Sequence, residues 1–339
     1  LNILRTEIIK KVLRPSTNKI VIQTYTLIIG ILLLAAKFLA YVVSNSNAIL
    51  TDALESIINV LAGGFGLYSL FVASKPMDED HPYGHGRVEL ISASIEGALI
   101  FAAGLIMVIK SIYNFFFPSE LSHLDIGIIL IAITGVVNFI LGWYSKHSGA
   151  KYSSATLIAS GEHLKTDAFS SFAIILGLGV VYFTEYYWLD NVISIAIGLF
   201  IIISGFKILQ SSVEGIMDKA DFILLGNIVD ALNRNRKVTW IDIHNLRIIK
   251  YGENIHIDCH ATLPWYFNTH EAHEELKSVE AAIKEAIPNN LESFIHADPC
   301  LPQSCSICAV ENCPKRMEIF EKKIEWNLDN VIKNQKHFL

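Results

Sequence analysis

Charge is scarce in this 339-residue sequence: Asp, Glu, Lys and Arg make up 18% of it, while 52% is hydrophobic. An average soluble domain carries about 25% charged residues. So apolar a chain is excluded from the disordered class and holds more apolar residues than one soluble core needs. Basic excess is missing too. The formal net charge of −6 argues against a nucleic-acid partner, because such domains are ordinarily basic. The chain has no P-loop or dinucleotide-binding fingerprint, and it has no His-Glu-x-x-His pair. Cysteines number only five, and four of them crowd into one stretch near the end.

The few charges are unevenly placed, sparse between positions 20 and 209 and dense from Asp218 onward. This pattern predicts a helical membrane domain followed by a soluble one. A spanning helix needs about 20 mostly apolar residues, and six runs qualify: 20–43, 48–73, 88–117, 124–144, 155–183 and 188–209. Runs this long favour helices over the short alternating strands of a barrel. The first run exceeds a signal-peptide core and lacks a small-residue cleavage site, so it is expected to be retained. The expected organisation is a basic tail over 1–19, a six-helix domain over 20–210, a soluble domain over 211–299 and a Cys-rich tail over 300–339.

Lys and Arg set the orientation. Arg5, Lys10, Lys11, Arg14 and Lys19 precede the first run, Lys75 and Arg87 fall in the second connection, and Lys146 and Lys151 in the fourth. The other three connections carry neither residue. Both termini are therefore expected in the cytoplasm, with the chain in a cell (inner) membrane.

An ionisable group at the bilayer centre costs about 2.5–3.5 kcal/mol on insertion scales, so each one in a span is a functional candidate. The second run reads TDALESIINV, with Asp52, Glu55 and Asn59 at helical spacing. The fifth reads GEHLKTDAFSS, with His163 and Asp167 four apart. Residues four apart share a helical face. Two such faces turned together would gather Glu55, Asn59, His163 and Asp167 as a four-coordinate set for a divalent transition metal. The plainer reading is interhelical hydrogen bonding. A His-x-x-x-Asp beside a Glu-x-x-x-Asn favours the metal. Lys37, near the outer end of the first run, is expected to snorkel. The loop KPMDEDHPYGHGRVE offers Asp78, His81 and His85 as further ligands, against the alternative of a solvated acidic loop.

These segments resemble the cation diffusion facilitator family of divalent-metal/proton antiporters. The resemblance rests on SNSNAILTDALESIINV, HPYGHGRVE, GEHLKTDAF and FIHADP, in that order. It implies a six-span homodimer with a cytoplasmic ferredoxin-like domain, exporting a divalent cation, Zn2+ first, against protons. By position it implies that Glu55, Asn59, His163 and Asp167 are the transport site and that Asp78, His81 and His85 are a loop site. Arg87 and Asp218 fall where relatives carry a charge interlock. Asn59 departs from the acidic residue common there, which removes one negative charge and opens the metal's identity to iron, manganese, cobalt or nickel. A membrane-anchored metal sensor and an intramembrane metalloenzyme are the rival functions.

Past position 218 the pattern becomes α+β, with helices expected over 222–233 and 270–286 and strands over 240–249, 254–262 and 291–297. Period-two alternation puts Ile255, Ile257 and Cys259 on one face and His256, Asp258 and His260 on the other. It also pairs Asp242 with His244, and His296 with Asp298. A cytoplasmic metal site is expected from His244, Asp258, His260, His296 and Asp298, with His270 or His273 from the helix start and His256 left at the surface. The tail spacing C-x4-C-x2-C-x4-C, from Cys300, Cys305, Cys308 and Cys313, suits structural zinc or an iron–sulfur cluster, or else free thiols. A charged amphipathic helix is expected over 317–336.

Overall fold

The computed structural model describes the backbone outside residues 1, 45–46, 117–124, 185–187, 253 and 288–290. Side chains are additionally outside the description at 2–16, 40–41, 43–44, 47–55, 58, 125–128, 130–131, 174, 177–184 and 189–190. The chain forms two compact units, Leu1–Met217 and Asp218–Leu339.

The first unit contains six long helices: α1 (Asn2–Ser44), α2 (Asn47–Ala73), α3 (Val88–Phe116), α4 (Asp125–Lys151), α5 (Ala155–Thr184) and α6 (Trp188–Ile216). Among the described residues, Thr17–Leu39, Val88–Phe116 and Asn191–Ile216 are long and apolar enough to cross a membrane. Their exposed faces carry large apolar side chains, as on α3 with Ile95, Ile106 and Ile109. That suits lipid, where the backbone must satisfy its own hydrogen bonds. Helix α6 continues to Ile216, beyond its apolar run, and ends where Asp218 takes a left-handed φ of 56°.

Lipid tails are as apolar as leucine, so helices here associate by close packing at small residues. The tightest pairs are α3 with α6 and α4 with α5. A Cβ on Gly97 would lie 2.7 Å from Leu209 N, and one on Gly104 would lie 2.9 Å from Gly198 O. A Cβ on Gly161 of α5 would lie 2.5 Å from Lys146 N and 2.8 Å from Gly142 O, both on α4. The missing side chains thus let backbone press on backbone, and this fixes α5 and its ionisable residues against α4.

The second unit runs α7 (Phe222–Arg234), β1 (Asp242–Tyr251), β2 (Asn254–Leu263), α8 (Thr269–Ala286), β3 (Leu291–Pro299) and the short α9 (Leu328–Val331). Asp221 caps α7, its side chain accepting from Leu224 N–H, and Asn268 forms a capping box with Glu271 on α8. The sheet order is β1-β2-β3, with β1/β2 antiparallel and β2/β3 parallel. The apolar face of α7 (Leu225, Ile228, Val229, Leu232) and Val279 and Ile283 of α8 share one core with Ile257, Cys259 and Ala261 of β2. Burial pushes the Cys259 thiol up to about 12, leaving it an inert core side chain.

Two expectations are corrected in this unit. His256 is buried, at 8% exposure, because it sits on the central strand with Phe294 5.7 Å away, ring to ring. The expected helix over 317–336 is absent apart from α9. The chain there is extended because its backbone groups find partners outside it. Glu321 N–H donates to Ser306 O, Arg236 to Ile324 O, and Asn233 to Trp326 O. Trp326 and Val331 then join the domain core.

Substituting Gly161→Val should cost about 1–3 kcal/mol through overpacking, lowering the unfolding midpoint of the detergent-solubilised protein. Gly64→Ala, where a Cβ would meet nothing within 4 Å, should leave it unchanged.

Candidate metal centres

Asn59 reaches inward from α2, and His163 and Asp167 from successive turns of α5. The Asn59 carboxamide bridges the other two. Its Oδ1 lies 2.8 Å from His163 Nε2 and its Nδ2 donates to Asp167 Oδ2 at 2.6 Å. A carboxamide oxygen can only accept, so the His163 proton resides on Nε2 in this arrangement. His163 Nε2 and Asp167 Oδ1 are 3.9 Å apart. All three line a cavity of about 60 Å³ together with Ser56, Glu96 and Lys37. About 10–15 Å³ holds one water, so the cavity has room for a partly hydrated ion. The side chain of Glu55 lies outside the described residues, as does that of Asp52. Glu162, beside His163, instead pairs with Lys146 and Lys165.

Lys37 corrects the snorkelling expectation. It is buried and donates to Ser56 Oγ at 2.8 Å, which places its charge on the cavity wall. Glu96 is the cavity residue least conspicuous in the sequence. It stands in SASIEGALI on α3, buried at 2%, and accepts from Ser160 Oγ at 2.7 Å. Ser160 also receives Gln23 Nε2 at 3.2 Å. An acidic residue within an apolar run was the available signal.

In the loop, Asp78 Oδ1 is 3.1 Å from His81 Nδ1, and Asp78 Oδ2 is 3.3 Å from His85 Nε2. Gly84, at φ 86°, makes the turn that brings the histidine rings within 4.3 Å. Asp78 and His81 are exposed. Arg87 opens α3 in the first unit and Asp218 opens the second.

The sheet builds the remaining group by register. His244 pairs with His260, and His260 with His296, so three imidazoles form one row across three strands. Two residues further along, Thr262 lies between Asp242 and Asp298. Asp298 Oδ2 approaches His244 Nε2 at 3.2 Å and His260 Nδ1 at 3.1 Å. His296 Nε2 stands 3.5 Å from Asp298 Oδ1. Asp258, His270 and His273 do not join. Asp258 pairs with Arg247 across the strands and holds His256 at 2.9 Å instead, because it lies on the side of the imidazole row away from Asp298, which sits opposite Thr262. His270 and His273 stand exposed on the first turns of α8.

Asp242 and His337 were less legible. Asp242 Oδ2 lies 3.2 Å from His244 Nδ1, behind the imidazole, while its Oδ1 accepts from His337 Nδ1 at 2.6 Å. Burial alone would raise the Asp242 carboxyl, but its contacts with His244 and His337 outweigh that and hold it at about 2. The contact with Asp242 in turn raises His337. A carboxylate behind a ligand imidazole fixes its tautomer and orientation. His337 comes from the tail, which is positioned by Lys333 O accepting Asn245 N–H at 2.8 Å, at the bulge where Asn245 takes φ 54°. The four tail cysteines gather in a separate pocket with Trp265 and Arg316.

Comparison with known proteins agrees with this architecture. A family profile described as the cation efflux transmembrane domain matches residues 24–217, and one described as the cation efflux protein cytoplasmic domain matches 223–300. The chain belongs to the cation diffusion facilitator, or cation efflux, family. A transporter of Methanocaldococcus jannaschii is 30% identical over 79% of this chain and 94% of its own length. Metal tolerance protein C1 of Arabidopsis thaliana is 27% identical over 88% and 67%, and the cation-efflux pump FieF of Shewanella oneidensis is 25% identical over 79% and 89%. As a cation efflux protein the chain is a transporter rather than an enzyme.

On the reading that the sheet group binds a divalent cation, Asp242→Asn should weaken that binding by about 10–100-fold, the usual cost of losing a partner behind a ligand. Calorimetric zinc titration of the full chain would read it, with circular dichroism checking that the fold is kept.

Proposed function

We propose that this chain exports a divalent transition-metal cation from the cytoplasm in exchange for protons, with Zn2+ the leading cargo, as a homodimer in a cell membrane with both termini cytoplasmic. The observation that carries the reading is the convergence of Asn59, His163 and Asp167 on one cavity inside apolar helices. An imidazole and a carboxylate there are costly to bury, and both are ligand types that suit such a cation. Glu55 is proposed as the fourth ligand from its place one turn before Asn59.

The Asn59 carboxamide hydrogen-bonds both His163 and Asp167. Cargo binding requires a His163 imidazolium to give up one proton and keep the other on Nδ1, so that Nε2 is free to coordinate, and Asn59 to turn its oxygen toward the ion. Metal and proton therefore compete for the same atoms, and alternation of the site between the two membrane faces couples their opposite flows. Glu96 adds a carboxyl to the cavity wall, and we assign it to carrying a proton rather than the metal. The loop group and the sheet group are proposed as cytoplasmic metal sites that bias the dimer.

Zinc flux into proteoliposomes under an imposed pH gradient tests the reading. His163→Ala and Asp167→Ala should each abolish flux, and unaltered flux in both would refute the site. Asn59→Asp restores the missing charge, so it should tighten zinc binding and steepen its loss at low pH. Glu96→Gln should retain zinc binding while lowering flux driven by the gradient.

A further inference from the structure

We propose that Cys300, Cys305, Cys308 and Cys313 hold a four-iron, four-sulfide cluster that staples the C-terminal tail to the cytoplasmic domain. This site is separate from the transport pathway, and the inference does not depend on the proposed cargo.

Cys300 follows β3 directly, Cys305 lies in the 3-10 turn Pro302–Ser306, and Cys308 and Cys313 follow within the same loop. All four line one cavity of about 280 Å³, walled also by Trp265, Leu301 and Met317. No disulfide joins them. Size decides between occupants. Four thiolates on one zinc, with bonds of about 2.3 Å, would stand only about 3.8 Å apart along the edges of the tetrahedron. Among the described residues, the groups that gather three ligand atoms within 4.8 Å are the loop and sheet groups. No three of the four sulfurs gather within that distance, so they stand further apart than the ligands of a single zinc. A cubane cluster fits such a frame, because each thiolate binds a different iron.

Two backbone N–H groups point at sulfur. Trp265 N–H donates to Cys300 Sγ at 3.4 Å and Met317 N–H to Cys305 Sγ at 3.4 Å. Thiols are weak acceptors, so backbone donors aimed at two of the four sulfurs suit cluster thiolates, whose hydrogen bonds help set the potential. Arg316 fixes the loop, donating to the carbonyls of Cys305 (3.1 Å), Cys308 (3.0 Å) and Val310 (2.6 Å). The next segment leaves this loop to pair Glu321 N–H with Ser306 O at 2.8 Å. The cluster would thus anchor the stretch that goes on to deliver His337.

The test is metal and acid-labile sulfide analysis of full-length protein, purified in detergent without oxygen and reconstituted with ferrous iron and sulfide. The expected result is about four iron and four sulfide per chain, with visible charge-transfer absorbance. Both should be lost in the Cys305→Ser/Cys308→Ser variant and kept in Cys259→Ala. Zinc at about one per chain without sulfide would overturn the cluster, as would iron and sulfide no higher than in the double variant. Should that variant fail to fold, the iron and sulfide content of the wild-type protein decides the matter by itself.

Discussion

A buried imidazole and a buried carboxylate inside apolar helices must each find a partner, and one carboxamide supplies both. The Asn59 amide faces His163 with its acceptor and Asp167 with its donor. Because polar groups are costly to bury within apolar helices, this bridge constrains how α2 and α5 meet. The glycine contacts that press α5 against α4 hold the other side of the same helix. A bridge of hydrogen bonds is reversible. In the proposed transport cycle, the cation replaces the amide hydrogen bonds with coordination, and the proton displaced from a His163 imidazolium is the exchanged ion.

Much of the architecture was legible because its causes are local. Long apolar runs and the four-residue spacing of His163 and Asp167 follow from helix geometry alone. Period-two alternation separated Cys259 from His260 correctly. What alternation cannot supply is register. Asp258 and His260 share a face, yet only His260 lies opposite His244 and His296. Which member of a face joins a site is set by strand pairing, and that depends on turns and the Asn245 bulge.

The remaining surprises come from contacts far apart in sequence. Lys37 near a helix end looks free to snorkel, and only the approach of Ser56 turns it inward. Glu96 is unremarkable until Gln23 and Ser160 close around it. The stretch after Cys313 has helical amphipathicity but docks extended, because Arg236 and Asn233 satisfy its carbonyls and Arg236 stacks 3.7 Å over Trp326. His337 then completes an arrangement 95 residues away from Asp242. Local propensity yields to tertiary partners in each case.

The central claim is that a cation sits among Asn59, His163 and Asp167, and it can be seen directly. Anomalous diffraction at the zinc edge, from crystals of the full chain grown with zinc, would locate the ion. The account predicts a peak within bonding distance of His163 Nε2 and an Asp167 carboxylate oxygen. Peaks confined to the loop and sheet groups, with Asn59 still bridging an empty cavity at saturating zinc, would contradict it.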